Sequence, residues 1–209
     1  MIKTKTKNEK IKIAVLVSGG GTNLQALIDA CNAKIINSAS IELVISNNPT
    51  AYALERAARA SIQSVVVSKK DYPSQNKFEK AIKSHLEKNK IDLIVLAGFM
   101  NILSEDFTKS YPERIINVHP SLIPSFCGKG FYGIKVHEAA LEYGVKVTGA
   151  TVHFVNEIPD GGKIILQKSV AVKKNDTPTT LQMRVMKQAE WIILPRAVEL
   201  VAKEILKHK

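Results

Sequence analysis

Residues 13–28, IAVLVSGGGTNLQALI, decide the fold. An aliphatic run, a triple glycine and then Leu24, Leu27, Ile28 and Cys31 at i, i+3, i+4 and i+7 read as strand, tight turn and amphipathic helix. Such a turn lets backbone N–H groups and a helix N-terminus face an anion, so Gly19, Gly20, Gly21, Thr22 and Asn23 form a candidate phosphate cradle. A dinucleotide fingerprint would place a third glycine at Leu24 and an acidic residue at the end of the second strand, where the chain has Ser46, Asn47 and Asn48. A Walker loop would place Lys and then Ser or Thr after the last glycine. Neither is present, and a monophosphate suits the shorter loop; a tight turn without ligand is the alternative.

Working outward, short aliphatic runs at Lys12–Ser18, Ile41–Ser46, Ser64–Val67, Asp92–Ala97 and Arg114–His119 alternate with helical stretches, including Ala51–Ala60 and Ser74–Lys88. That alternation predicts a mostly parallel sheet flanked by helices. Beyond His119 the pattern changes. A Pro/Gly/aromatic loop leads to a short helix over Val136–Glu142, then to strands Lys146–Val155 and Lys163–Val172 joined by a turn at Asp160–Gly162. These two are expected as an antiparallel pair at the sheet edge. Asp176-Thr177-Pro178 caps a long C-terminal helix in which Pro195 predicts a kink.

The 209 residues are 45% hydrophobic and 23% charged, which suits one α/β domain over 1–209, with residues 1–10 as a basic, flexible N-terminus. The run Ile11–Val17 is too short to span a membrane, and no targeting signal is evident. Cys31 and Cys127 form neither a disulfide framework nor a metal pattern, so a cytoplasmic protein without metal is expected. The formal charge of +11 gathers largely at the termini, without interleaved aromatics, which argues against nucleic acid. Small-molecule substrates are the expected partners, acting on a monomer or homodimer.

Asn117 and His119 alternate at the C-terminal end of a strand, so both side chains point to one side of the sheet, at the edge where open α/β sheets hold ligands. An amide donor and a group exchanging protons near neutrality are the two tools of acyl transfer, although a structural His–Asn pair fits equally well. Asp160, in the turn between the last strands, would hold His119 and raise its pKa; Asp-Gly-Gly is also an ordinary turn. His153, alternating with Thr151 and Val155, lines the same cavity or is a satisfied core histidine. No serine-hydrolase elbow is present.

VLVSGGGTNLQALI, DLIVLAGFMNILS, NVHPSLIPSF and VTGATVHFVNEIPDGGKIILQ together resemble the folate-dependent phosphoribosylglycinamide formyltransferases over nearly the whole chain. The resemblance implies a Rossmann-like fold and transfer of the formyl group of 10-formyltetrahydrofolate to the amine of glycinamide ribonucleotide, in purine biosynthesis. It implies that Gly20, Gly21, Thr22 and Asn23 bind the phosphate, with Glu190 near the ribose. Lys69, Phe99, Met100, Asn101, Ile102 and Leu103, with Asn117, Asn156, Glu157, Ile158 and Asp160, would surround the folate. His119 as general acid and base, Asn117 as oxyanion donor and Asp160 as the group tuning His119 would carry a direct transfer through a tetrahedral intermediate. Asn101 stands where members commonly carry arginine. Methionyl-tRNA formyltransferase shares the folate motif and has a further C-terminal domain.

Overall fold

The computed structural model describes residues 9–209. The expected flexible N-terminus falls on residues 1–8, outside the described residues, and on Glu9 and Lys10, which are exposed. The chain runs β1 (Ile11–Val17), α1 (Thr22–Asn32), β2 (Ala39–Ser46), α2 (Tyr52–Arg59), β3 (Gln63–Val66), α3 (Gln75–Lys88), β4 (Leu93–Leu96), α4 (Glu105–Lys109) and β5 (Ile115–His119). It continues through α5 (Ile134–Tyr143), β6 (Val147–Phe154), β7 (Ile164–Ala171), α6 (Pro178–Val185) and α7 (Trp191–Lys207). The sheet order is β3-β2-β1-β4-β5-β6-β7, with β1–β5 parallel, β6 antiparallel to β5 and β7 antiparallel to β6, so that β6 and β7 form the expected antiparallel pair at the edge.

Because side chains alternate across a strand, β1 supplies both cores. Ile13, Val15 and Val17 pack with Leu24, Leu27 and the α7 residues Leu194, Ala197 and Val198. Ala14 and Leu16 pack on the other face with Phe78, Ile82 and Leu86 of α3 and Phe107 of α4. All of these side chains are fully excluded from water or nearly so, and burying each larger one contributes roughly 1.5–3 kcal/mol. Along β5 the same alternation gives Ile116 and Val118 to the first core and Ile115 to the second. Asn117 and His119 therefore project on the α3–α4 side, beyond the apolar cover.

Two details differ from the sequence reading. Helix α4 and a short turn at Lys69–Asp71 are too brief to register as a 3.6-residue pattern. The C-terminal helix continues through Pro195, and a widened π-type turn that the sequence reading lacked precedes it over Met186–Glu190. The expected cap before Pro178 is Thr177, in a reciprocal box with Thr180, and Asp176 is clasped by both Nη atoms of Arg184.

Candidate active site

The C-terminal ends of β4 and β5 meet a cavity of about 510 Å³. One wall is Phe99–Leu103, the floor holds Asn117 and His119, and Gly128–Gly133, His153, Asn156, Glu157 and Asp160 close the other side. The structure thus brings together nearly all of the expected donor-site residues. Ile158 is exposed beside the cavity without lining it. Lys69 stays on the exposed turn after β3 and does not reach it, because β3 is the outermost strand.

The polar groups form one connected network centred on Asp160. Its residue takes a left-handed backbone (φ 57°) in the turn, and Gly162 behind it is needed, since a Cβ there would sit 1.7 Å from the Phe154 carbonyl oxygen. Asp160 Oδ2 accepts the Gly128 N–H at 2.8 Å and lies 3.4 Å from His119 Nδ1; Oδ1 lies 3.5 Å from His153 Nε2. His119 Nε2 donates to the Phe126 carbonyl at 2.9 Å, which leaves Nδ1 as its proton-exchanging atom. His153 Nδ1 donates to the Phe154 carbonyl at 2.7 Å, and its Nε2 lies 3.2 Å from the Asn117 amide nitrogen while facing Asp160. One Asn117 N–H hydrogen remains for a ligand.

Electrostatics correct one expectation. Burial pushes the His119 pKa below its ordinary value; Asp160 and the Phe126 carbonyl push it up, with the expected sign, but do not win. Burial alone would raise the Asp160 carboxyl, yet the bond to His153, the His119 charge and the Gly128 N–H hold it below the usual range. His137, fully buried on α5, is pushed down to about 4 by burial and by His119.

The glycine loop stands apart from this network but is tied to it, since Ser18 Oγ accepts the Met100 N–H at 2.8 Å. The Gly19, Gly20 and Gly21 carbonyls accept from Ala53 N, Arg56 Nε and Gln25 N. The Gly20 and Gly21 N–H groups bond to nothing among the described residues. The two glycines differ. A Cβ on Gly20 would meet nothing within 4 Å, whereas one on Gly21 (φ 69°) would lie 2.6 Å from Ala53 Cβ. Glu190, placed by the widened turn, accepts the Asn23 amide at 2.7 Å. Complete burial pushes its carboxyl up to about 7 against that bond. Ser46, at the end of β2, turns its hydroxyl onto the Asn48 carbonyl, and no acidic side chain stands there for a dinucleotide ribose.

The family model for formyl transferases matches residues 11–198, a span that includes the cavity wall, the network and the glycine loop. The chain belongs to the formyl transferase family. It is 42% identical over 188 residues to phosphoribosylglycinamide formyltransferase of Haemophilus influenzae, covering 90% of this chain and 85% of that protein. It is 48% identical over 196 residues to the trifunctional purine biosynthetic protein adenosine-3 of Homo sapiens, which covers 94% of this chain. The chain spans about a fifth of that protein's length, 19%. Among solved structures, glycinamide ribonucleotide transformylase 1 of Symbiobacterium toebii superposes with a TM-score of 0.88 at 39% identity, over 96% of this chain and 94% of that one. The resemblance read from the sequence is borne out, as is the fold.

Within this formyl transferase, sequence reasoning left His153 undecided and missed the Phe126 and Gly128 backbone groups. His153 had a usable signal. Direct pairing of β5 and β6 sets Asn117 opposite His153, which follows once the register is known. The backbone groups had none, because they depend on how the loop folds back. Among the described residues no helix is long and apolar enough to cross a membrane, and no cluster suits a metal ion.

Proposed function

We propose that this enzyme transfers the formyl group of 10-formyltetrahydrofolate to the amine of N1-(5-phospho-D-ribosyl)glycinamide, giving the N-formyl product and tetrahydrofolate. The observation that carries the reading is the Asn117–His153–Asp160–His119 network at the cavity floor, set between a wall with free backbone groups and a glycine loop with free N–H groups. Gly20, Gly21, Thr22 and Asn23 would bind the phosphate and Glu190 the ribose. The Phe99–Leu103 wall with Asn156 and Glu157 would hold the pterin.

Asn117 donates its remaining N–H to the formyl oxygen, where negative charge develops as the amine nitrogen bonds to the formyl carbon. His119, neutral at rest, takes the proton that the amine sheds, at Nδ1, and the Asp160 carboxylate stabilises the imidazolium so formed. His119 then returns that proton to the folate nitrogen as the carbon–nitrogen bond to the carrier breaks. His153 keeps Asn117 and Asp160 in place from between them. Both cysteines are free, which suits a reducing cytoplasm.

The test is competition: glycinamide ribonucleotide, methionyl-tRNA and water are offered together with 10-formyltetrahydrofolate. Consumption only with the ribonucleotide is expected. Formylation of the tRNA, or hydrolysis at a similar rate, would contradict the reading.

A further inference from the structure

The wall from Phe99 to Leu103 joins β4 to α4 without a ladder of its own. Among the described residues only two of its backbone groups bond to the protein: the Met100 N–H, to Ser18, and the Ile102 carbonyl, which accepts from Gln75 Nε2 at 3.2 Å. Where the wall enters α4, Glu79 grips it. Glu79 Oε1 accepts the Ser104 N–H at 2.7 Å and the Gln75 amide at 2.7 Å, and Oε2 accepts the Ser104 hydroxyl.

Glu79 is 5% exposed and does not line the cavity. A carboxylate taken out of water is costly unless its oxygens are satisfied, and here its partners are Ser104, the residue directly after the wall, and the glutamine that also holds the wall. Capping of α4 does not require it, because Ser104 Oγ already accepts the Phe107 N–H at 3.2 Å. Gln75 and Glu79 lie one turn apart on α3, and Gln75 divides its amide donors between Glu79 and the Ile102 carbonyl. Leu103 and Phe99 also pack on the α3–α4 core and Asn47 donates to Asn101 Oδ1, but the pair is what ties the backbone at Ile102 and Ser104 to the rigid helix α3.

We infer that Glu79, acting with Gln75, is a positioning residue for the formyl donor. It sets the wall so that the free backbone groups of Phe99, Asn101 and Leu103 meet the hydrogen-bonding edge of a flat heterocycle. The inference rests on the proposed reading of the cavity as the donor site.

Steady-state kinetics with each substrate varied in turn, on wild type, Glu79→Ala, Glu79→Gln and Gln75→Ala, tests it, with melting curves for each. Glu79→Ala is expected to raise KM for 10-formyltetrahydrofolate about tenfold or more, as loss of charge-assisted hydrogen bonds does. KM for the ribonucleotide stays within about twofold, below ~0.4 kcal/mol. Glu79→Gln, which keeps one acceptor oxygen and the shape, recovers part of the donor affinity. A folded Glu79→Ala protein with unchanged donor KM, or with both KM values raised alike, overturns the inference. Should Glu79→Ala fail to fold, Gln75→Ala decides: a raised donor KM alone supports the inference, and an unchanged one overturns it. Wild-type protein that does not use 10-formyltetrahydrofolate would overturn the donor-site reading, and the inference with it, before any variant is made.

Discussion

Two carboxyl groups, Asp160 and Glu190, are treated in opposite ways. Asp160 is partly buried among an N–H group and two imidazoles, and it is held ionised. Glu190 is sealed behind the glycine loop with one amide donor, and its carboxyl rises to about 7. Shallower burial, together with two neighbouring imidazoles and the Gly128 N–H, lets Asp160 keep its charge where Glu190 does not. In the proposed mechanism, one end of the site offers a fixed negative charge for a travelling proton. The other offers a group that is half protonated near neutrality.

The largest effects belong to the charged end. General acid–base groups contribute roughly 10²–10⁴-fold and a lost oxyanion donor roughly 10²–10³-fold, so His119→Ala and Asn117→Ala should lower kcat by those factors with far smaller changes in KM. Single-turnover rates check this; near-wild-type kcat in both folded variants would reduce the network to a structural one.

Glu190 should announce itself through stability. Its folded pKa of about 7 lies above the usual 4.5, so between those values the folded state binds more protons than the unfolded one. Stability contributed by the protonated carboxyl is then lost as pH rises through that window. Glu190→Gln removes the loss, and its melting temperature relative to wild type should climb from pH 4.5 to pH 7 and level off above, a difference on the order of a few kcal/mol. A constant offset across that range would show that Glu190 does not titrate there.

The smallest effects separate two glycines of the loop. Gly21→Ala forces a Cβ against Ala53 at a left-handed residue and should lower stability by roughly 1–3 kcal/mol. Gly20→Ala meets open space and should leave stability within about 0.5 kcal/mol while weakening ribonucleotide binding. Melting curves alongside ribonucleotide titrations check both; equal destabilisation would make the loop a packing motif.

How much of this was legible in the sequence follows from range. The strand, triple glycine and helix over residues 13–28, and the alternation of Asn117 with His119, are local patterns, and the structure keeps them. Asp160 joins them because the hairpin brings its turn back over β5. Lys69, on the turn after the outermost strand, is not among the residues lining the cavity, and its place depends on strand order, which spacing does not encode. The Glu79 grip on Ser104 and the Ala53 contact of Gly21 are tertiary, and the widened turn at Met186–Glu190 interrupts a periodicity that reads as one continuous helix.

The central claim is that His119 works as a neutral base whose proton is met by Asp160, and the pH dependence of kcat for wild type and Asp160→Asn tests it most directly. Burial sets the His119 pKa below its ordinary value and Asp160 opposes that shift. The wild-type acidic limb should therefore fall below the ordinary histidine value of about 6.5. Removing the carboxylate charge lets imidazolium lose its proton more easily, so Asp160→Asn should be slow and its limb should move to still lower pH. A limb that stays in place at an undiminished rate, or that moves to higher pH, would contradict the account.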